Sequence, residues 1–273
     1  MQSSRTLATK SVSDRMNQLL FLGTSTSVGV PVIGCHCPTC VSDDPRDDRS
    51  RSSIFLEGPF GKILVDSGPD LRQQALRENL TEVDAVFYTH CHLDHVAGFD
   101  ELRAFCWRRD SPLPMYGSGE TLNVLNQMYP WAFLNEGQQR GYVRPEPRTF
   151  EGPFEFRSLK VTPIEVDHGK VRTHGFRFDQ ECGKSVAYLP DVKRIPESSL
   201  ALLHDLDILI IDALREEEHH THMTIQEALE TISHLAPKRA YLTHISHEIS
   251  VADFSHQLPN HISFAYDGLR LDL

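Results

Sequence analysis

The chain is predicted to be an α/β protein, and three observations carry that prediction. Short β-branched or apolar runs alternate with segments of helical spacing. The longest apolar runs, such as "LDILIIDAL" at 206–214, have the length of a strand. Several runs, "LKVTPIEVDHG", "SVAYLPD", "LDILIIDAL" and "KRAYLTH", carry a histidine or aspartate at the C-terminal side. Strand ends that each deliver one polar residue to a common edge are a usual way to build a site, because strands hold position better than free loops.

In chain order, residues 1–16 read as a flexible polar tail, and residues 17–273 as one domain. "QLLFLGTS" predicts a strand running into a glycine-containing loop, and "SSIFLEGPFGKILVDSG" predicts two strands joined by a Gly/Pro turn. "PDLRQQALREN" has helical spacing with proline at its start. "DAVFYTH" is a short β-rich run, and "VAGFDELRAFCWRR" after it reads as a helix. "SGETLNVLNQMYPW" is a further helix with Ser118 as its cap, and "TIQEALETISHL" another behind a polar turn.

At 273 residues, with 40% apolar and 24% charged side chains, the chain can bury a substantial core, and its composition is that of an ordinary globular protein. No apolar run approaches the roughly 20 residues of a membrane span, and no signal-peptide block follows the N-terminus. A cytoplasmic protein without a membrane partner is expected. With 27 basic against 38 acidic residues, the formal charge of −11 disfavours an extended nucleic-acid duplex as partner, since such surfaces need concentrated positive charge. A small anionic substrate remains compatible.

The segment "THCHLDHVAGFDEL" at 89–102 places His90, His92, Asp94 and His95 too close together for core packing to account for all of them. Alternation puts His90 and His92 on one side of an extended segment, where both can reach an ion at about 2.0–2.2 Å. Asp94 and His95 point elsewhere and can serve a second ion if the loop turns. "CHCPTC" brings Cys35, Cys37 and Cys40 together, and with no export signal this spacing reads as thiolate ligation of a metal. Cys91, Cys106 and Cys182 are scattered and read as ordinary thiols.

The H-x-H-x-D-H string resembles the signature of the metallo-β-lactamase-fold hydrolases. That resemblance implies an αββα sandwich, in which two mixed sheets lie face to face with helices outside. It also implies His168, Asp191 and His244 as further ligands. His90, His92 and His168 would take one divalent ion, and Asp94, His95 and His244 a second, with Asp191 spanning both. Asp66 in "ILVDSG" matches a position that orients ligands by hydrogen bonds, and stays outside the ligand set. Two ions about 3.5–4 Å apart hold a water as hydroxide and offset charge on a phosphate, so that no Ser or Cys nucleophile is needed. Imidazole and carboxylate donors suit zinc, manganese or iron.

"GTSTSVGVPVIGCHCPTC" and "HTHMTIQEALETISHLAPKRAYLTHISHE" narrow the resemblance to the branch typified by the cyclic-phosphate phosphodiesterase of the carbon–phosphorus lyase pathway. It runs from about residue 18 to the C-terminus. In that branch three cysteines and a histidine hold a structural zinc, here Cys35, Cys37, Cys40 and His247. A Cys₃His set is closed and leaves no position for substrate. His222 matches a histidine that contacts phosphate or protonates the leaving oxygen, with His219 and His220 beside it. Together with Asp94, it is the expected catalytic group of a phosphodiesterase acting on a small cyclic or nucleotide-like phosphate. An RNA-processing endonuclease, an ester or thioester hydrolase, and a non-catalytic metal-binding protein are the competing readings. The segment 108–150, with Tyr129, Trp131, Phe133, Arg140, Arg144 and Arg148, is read as packed aromatics first, and as a pocket wall or homodimer contact second.

Overall fold

The computed structural model describes residues 17–134 and 141–273; the predicted tail 1–16 and Arg140 lie outside the described residues. The first half of the chain forms β1 (Gln18–Gly23), β2 (Ser53–Gly58), β3 (Gly61–Val65), β4 (Ala85–Phe87), β5 (Leu113–Gly117) and β6 (Pro145–Thr149), with α1 (Leu71–Arg77), α2 (Leu93–Val96), α3 (Arg103–Cys106) and α4 (Gly119–Met128) between them. The second half forms β7 (Phe154–Phe156), β8 (Leu159–Val166), β9 (Thr173–Gln180), β10 (Ser185–Leu189), β11 (Ile208–Asp212), β12 (Arg239–Thr243), β13 (Ile262–Phe264) and β14 (Arg270–Asp272), with α5 (Glu197–Leu200), α6 (Ile225–Leu235) and α7 (Val251–Phe254).

Two seven-stranded sheets result, in the orders β14-β1-β2-β3-β4-β5-β6 and β13-β12-β11-β10-β9-β8-β7. Both are mixed. In the first, the pairings from β14 to β3 are antiparallel and those from β3 to β6 parallel. In the second, the pairings from β7 to β10 are antiparallel and those from β10 to β13 parallel.

Alternating strand residues sort into three apolar layers, which is why the sheets stack between helices. The inner faces meet around Phe87, whose ring lies 4.8 Å from Tyr116, 5.6 Å from Phe176 and 5.8 Å from Phe156. Leu122 and Leu125 of α4 and Phe105 of α3 cover the outer face of the first sheet. Ile225, Ala228 and Ile232 of α6 cover that of the second. This is the αββα order expected above.

Helix ends follow their side chains. Ser118 Oγ accepts from Thr121 N at 3.1 Å to start α4, and Pro130 lies just past its end. Thr224 and Glu227 close a capping box on α6, with Thr224 Oγ1 accepting from Glu227 N at 3.1 Å and Glu227 Oε2 accepting from Thr224 N at 2.7 Å.

One element departs from expectation. "VAGFDELRAFCWRR" is not one helix but α2, a 3₁₀ turn at Phe99–Leu102, and α3. The break comes at Gly98, whose N–H donates to Ser67 O at 2.9 Å, while Ser67 N donates to His95 O at 2.8 Å. The segment is thereby laced to the loop after β3, and a Cβ on Gly98 would sit 2.0 Å from Gly68 O. A backbone pressed this close against backbone cannot continue a helix through a side chain. Gly98→Ala is expected to destabilise the fold by about 1–3 kcal/mol. A urea midpoint that falls at constant slope would show it, and an unchanged midpoint would refute the close approach.

The described parts of segment 108–150, residues 108–134 and 141–150, are packed in the ordinary way. Tyr129 stacks on Phe99 at 4.5 Å and Phe133 lies 5.9 Å from the same ring. Arg144 donates to backbone oxygens of Arg109 and Asp110, and Arg148 to Glu146 and Tyr116. Trp131 is half exposed.

Candidate metal centre

The strand ends deliver their polar residues to one edge. His90 and His92 follow β4, with Asp94 and His95 in α2 immediately after; His168 lies two residues past β8, Asp191 two past β10, and His244 one past β12. β4, β10, β11 and β12 take part in the parallel pairings, so the cluster lies outside their carboxyl ends, the usual crevice for ligands in such sheets.

Donor atoms of His90, His92 and His168 lie within 4.8 Å of one another, as do those of Asp94, His95, Asp191 and His244. His90 Nε2 is 2.9 Å, and His168 Nε2 3.2 Å, from His92 Nδ1. Asp191 reaches both groups: Oδ2 is 3.1 Å from His95 Nε2, while Oδ1 is 3.3 Å from His244 Nε2 and 3.8 Å from His168 Nε2. Asp94 Oδ2 lies 3.4 Å from His95 Nε2 and 3.8 Å from His244 Nε2.

Three observations show that this set fits divalent cations. His95 Nε2, Asp191 Oδ2 and both ring nitrogens of His244 are buried without a hydrogen-bond partner among the described residues. Buried polar atoms are normally satisfied, so lone pairs that converge on each other call for a positive centre between them. Tetrahedral ligation by imidazoles at about 2.0–2.1 Å separates the nitrogens by roughly 3.3 Å, close to what is found. Two of the ring nitrogens turned away from the cluster are held by partners. His168 Nδ1 lies 2.9 Å from Thr221 O, and His95 Nδ1 2.8 Å from Asp66 Oδ2. Asp66 is fixed in turn by Thr89, whose N–H and Oγ1–H donate to it at 2.9 and 2.8 Å. Asp66 therefore fixes the orientation of the His95 ring.

Electrostatics favour neutral ligand imidazoles in the first group. Burial pushes His90 well below the ordinary histidine range and His168 down to about 4. Burial also acts on His95, but Asp191, Asp94 and Asp66 outweigh it and raise the imidazole well above that range.

A second cluster joins Cys35, Cys37 and Cys40 to His247. The three sulfurs stand 3.4, 3.4 and 3.6 Å from His247 Nδ1. Ligation at about 2.3 Å to sulfur and 2.0–2.1 Å to nitrogen gives a tetrahedral edge of roughly 3.6 Å, so the four fit a closed zinc site. Its loop is anchored by Arg49, a fully buried guanidinium that donates to Ser246 O at 3.1 Å and Ile249 O at 2.8 Å.

His222 sits in the turn before α6, between the two histidine groups. Its ring stacks on His244 at 4.6 Å and meets His168 edge-on at 4.7 Å. Its Nδ1 is 2.7 Å from Asp212 Oδ2. His219 lies 5.1 Å from His222 and 4.5 Å from His220, which faces outward as part of the polar turn. Sequence reasoning passed over Asp212 and Thr89. Asp212 shared the strand-end pattern that marked the ligands, whereas nothing in the sequence distinguished Thr89.

Residues 62–245 match the sequence family described as beta-lactamase superfamily domain. The chain is similar to a protein named octanoyltransferase from Porphyromonas gingivalis (strain ATCC BAA-308 / W83), at 35% identity over 259 residues, 92% of this chain and 50% of that one, so it spans about half the length of that relative. Among solved structures it is similar to a diphosphatase from the PhnP family, with 36% identity, a TM-score of 0.86, and 94% and 98% of the two chains covered. It also resembles Zn²⁺-bound PqqB from Methylobacterium extorquens (22% identity, TM-score 0.77, 94% and 100% covered) and the short form of human tRNase Z (18%, 0.69, 93% and 98%). The last two are similarities of fold. Among the described residues no helix is long and apolar enough to cross a membrane.

Proposed function

From the premise that the chain belongs to the beta-lactamase superfamily, we propose that it is a phosphodiesterase that acts on a small phosphorylated substrate. The observation that carries this reading is the pair of donor groups joined by Asp191, with His222 over both. Two divalent ions held by His90, His92, His168, Asp94, His95, His244 and Asp191 would lower the pKa of water and offset charge on a phosphoryl group. A zinc held by Cys35, Cys37, Cys40 and His247 would be structural.

The chain's own residues supply the rest. Asp94 is the more exposed of the two site carboxylates, at 11% against 2% for Asp191, and would accept the proton that an incoming water gives up. His222, with Nδ1 engaged by Asp212, would offer Nε2 to the phosphate or to the leaving oxygen. The similarity to a PhnP-family diphosphatase supports phosphoryl chemistry. The net charge of −11 argues for a small substrate over an extended duplex, and a cytoplasmic setting is proposed with it.

Purified protein with bound metal counted on the same sample is expected to hydrolyse bis(p-nitrophenyl) phosphate with added manganese or zinc. His92→Ala should lose at least about 100-fold in kcat/KM. A fully metallated protein inactive on every phosphodiester tried would overturn the reading. The relative named octanoyltransferase favours a second one, hydrolysis of an acyl ester or thioester. Faster turnover of p-nitrophenyl octanoate than of the phosphodiester would select it.

A further inference from the structure

We infer that an apolar track leads away from the metal centre along Leu93, Ala97, Tyr129 and Trp131, and that it seats a hydrocarbon group on the non-reacting side of the substrate. The inference rests on the phosphodiester reading and deepens it, by naming the substrate class as diesters of an apolar alcohol.

The track starts inside the histidine motif. Leu93 stands between His92 and Asp94, which belong to different donor groups, yet it is 63% exposed. α2 buries His95 and Val96, so Leu93 and Ala97, four residues apart, share the face that is open to solvent. Ala97 N donates to Leu93 O at 2.8 Å, which holds one residue a helical turn beyond the other.

Aromatic rings carry the track on from there. Tyr129 Oη donates to Ala97 O at 3.4 Å, and its ring stacks on the buried Phe99 at 4.5 Å, so it is fixed at the end of α2. Trp131 meets that ring edge-on at 5.6 Å and is itself 51% exposed. One helical turn is about 5.4 Å, so the turn and the two rings suit a chain of several carbons better than a methyl group.

Apolar side chains scattered singly over a surface need no explanation, but a run that begins between two metal ligands is a wall for something the metals hold. The other approaches to the site are polar. Lys170, two residues past His168, and His220, two before His222, are exposed. The mouth thus has a polar and an apolar side, and an amphiphilic diester matches both, with phosphoryl oxygens at the donor groups and hydrocarbon along α2. A methylene laid on one apolar wall is about half removed from water, which is worth roughly twofold in binding. This contact is the same before and during reaction, so it acts on KM and leaves kcat alone.

The test is a series of p-nitrophenyl alkyl phosphates, methyl to hexyl, with metal-loaded protein and bound metal counted on the same samples. kcat/KM is expected to rise about twofold per methylene, roughly 30-fold over the series, through KM. Leu93→Ser and Trp131→Ser should each lower the hexyl-to-methyl ratio at least about threefold at equal bound metal. Trp131 lies in no ligand-bearing element, so its variant decides the matter should Leu93→Ser disturb the metals. Binding is read separately in Trp107→Phe, where Trp131 is the one tryptophan left. Hexyl phosphate should shift its emission to the blue, and inorganic phosphate should not. A flat alkyl series, an unchanged ratio in Trp131→Ser, or emission that hexyl phosphate leaves unmoved would each overturn the inference. Absence of turnover on every ester would remove the phosphodiester reading instead, and the emission shift would still decide whether the track binds hydrocarbon.

Discussion

Asp191→Ala is expected to lower kcat/KM for phosphodiester hydrolysis by more than about 10³-fold, the largest effect of any single side chain here. Its two oxygens face His95, His168 and His244, members of both donor groups, at 3.1–3.8 Å. Burial alone would push its carboxyl up, but His244 and His95 hold it well below the usual carboxylate range, so it stays ionised as a ligand must. Loss of the oxygens leaves the two groups without a common member. The variant should therefore bind at least one fewer active-site ion at equal free metal, while its circular dichroism stays that of the wild type. Asp191→Asn keeps the volume and removes the charge, and should fall nearly as far. A variant that retained its metal and came within tenfold of wild-type activity would refute the bridging role.

Cys37→Ser is expected to have the largest effect on stability. Zinc in isolated fingers supplies about 10–16 kcal/mol of apparent folding free energy. This chain has its own apolar layers, so only part of that is at stake, about 3 kcal/mol, or roughly 6–12 °C in the unfolding midpoint. The effect should also reach the other cluster. His247 is three residues beyond His244, which holds a left-handed backbone at φ 57°, and Ile245 between them donates to Thr24 O at 2.9 Å. Freeing His247 loosens a segment that holds a ligand in a costly conformation. Calorimetry with metal analysis should show one zinc fewer per chain, a lower midpoint, and about 10–100-fold weaker metal binding at the dinuclear site. An unchanged zinc count, or a midpoint within about 2 °C of wild type, would refute the clamp.

Residues that must be chemically particular were legible in the sequence. The histidine-rich string needed only local spacing, whereas His168, Asp191 and His244 at the strand ends were picked out by a family resemblance, on short β-branched runs with a clear start and stop. Other elements depended on partners far away in the chain. β6 is a polar strand with two prolines, at an edge of the sheet, set by pairing with β5. β9 is almost wholly buried although it contains Thr173, His174, Arg177 and Gln180, and it alternates polar and apolar residues only over Phe176–Asp179. The helix expected after the histidine motif breaks because Gly98 meets Gly68, a contact between segments 30 residues apart. Asp212 looked like any aspartate ending a strand, and only the fold brings His222 to it.

The division of the donor residues between the halves of the chain has a kinetic consequence. His90, His92, Asp94 and His95 belong to the half that builds six strands of one sheet, and His168, Asp191 and His244 to the half that builds the other sheet and adds β14 to the first. Neither half alone offers a complete coordination sphere, so ions can be captured only after the halves have docked. Cation concentration should then leave the refolding rate nearly unchanged and slow unfolding instead, because the stabilisation arises after the rate-limiting barrier. The ions would act as a latch on an assembled molecule, with a lifetime that lengthens as free metal rises.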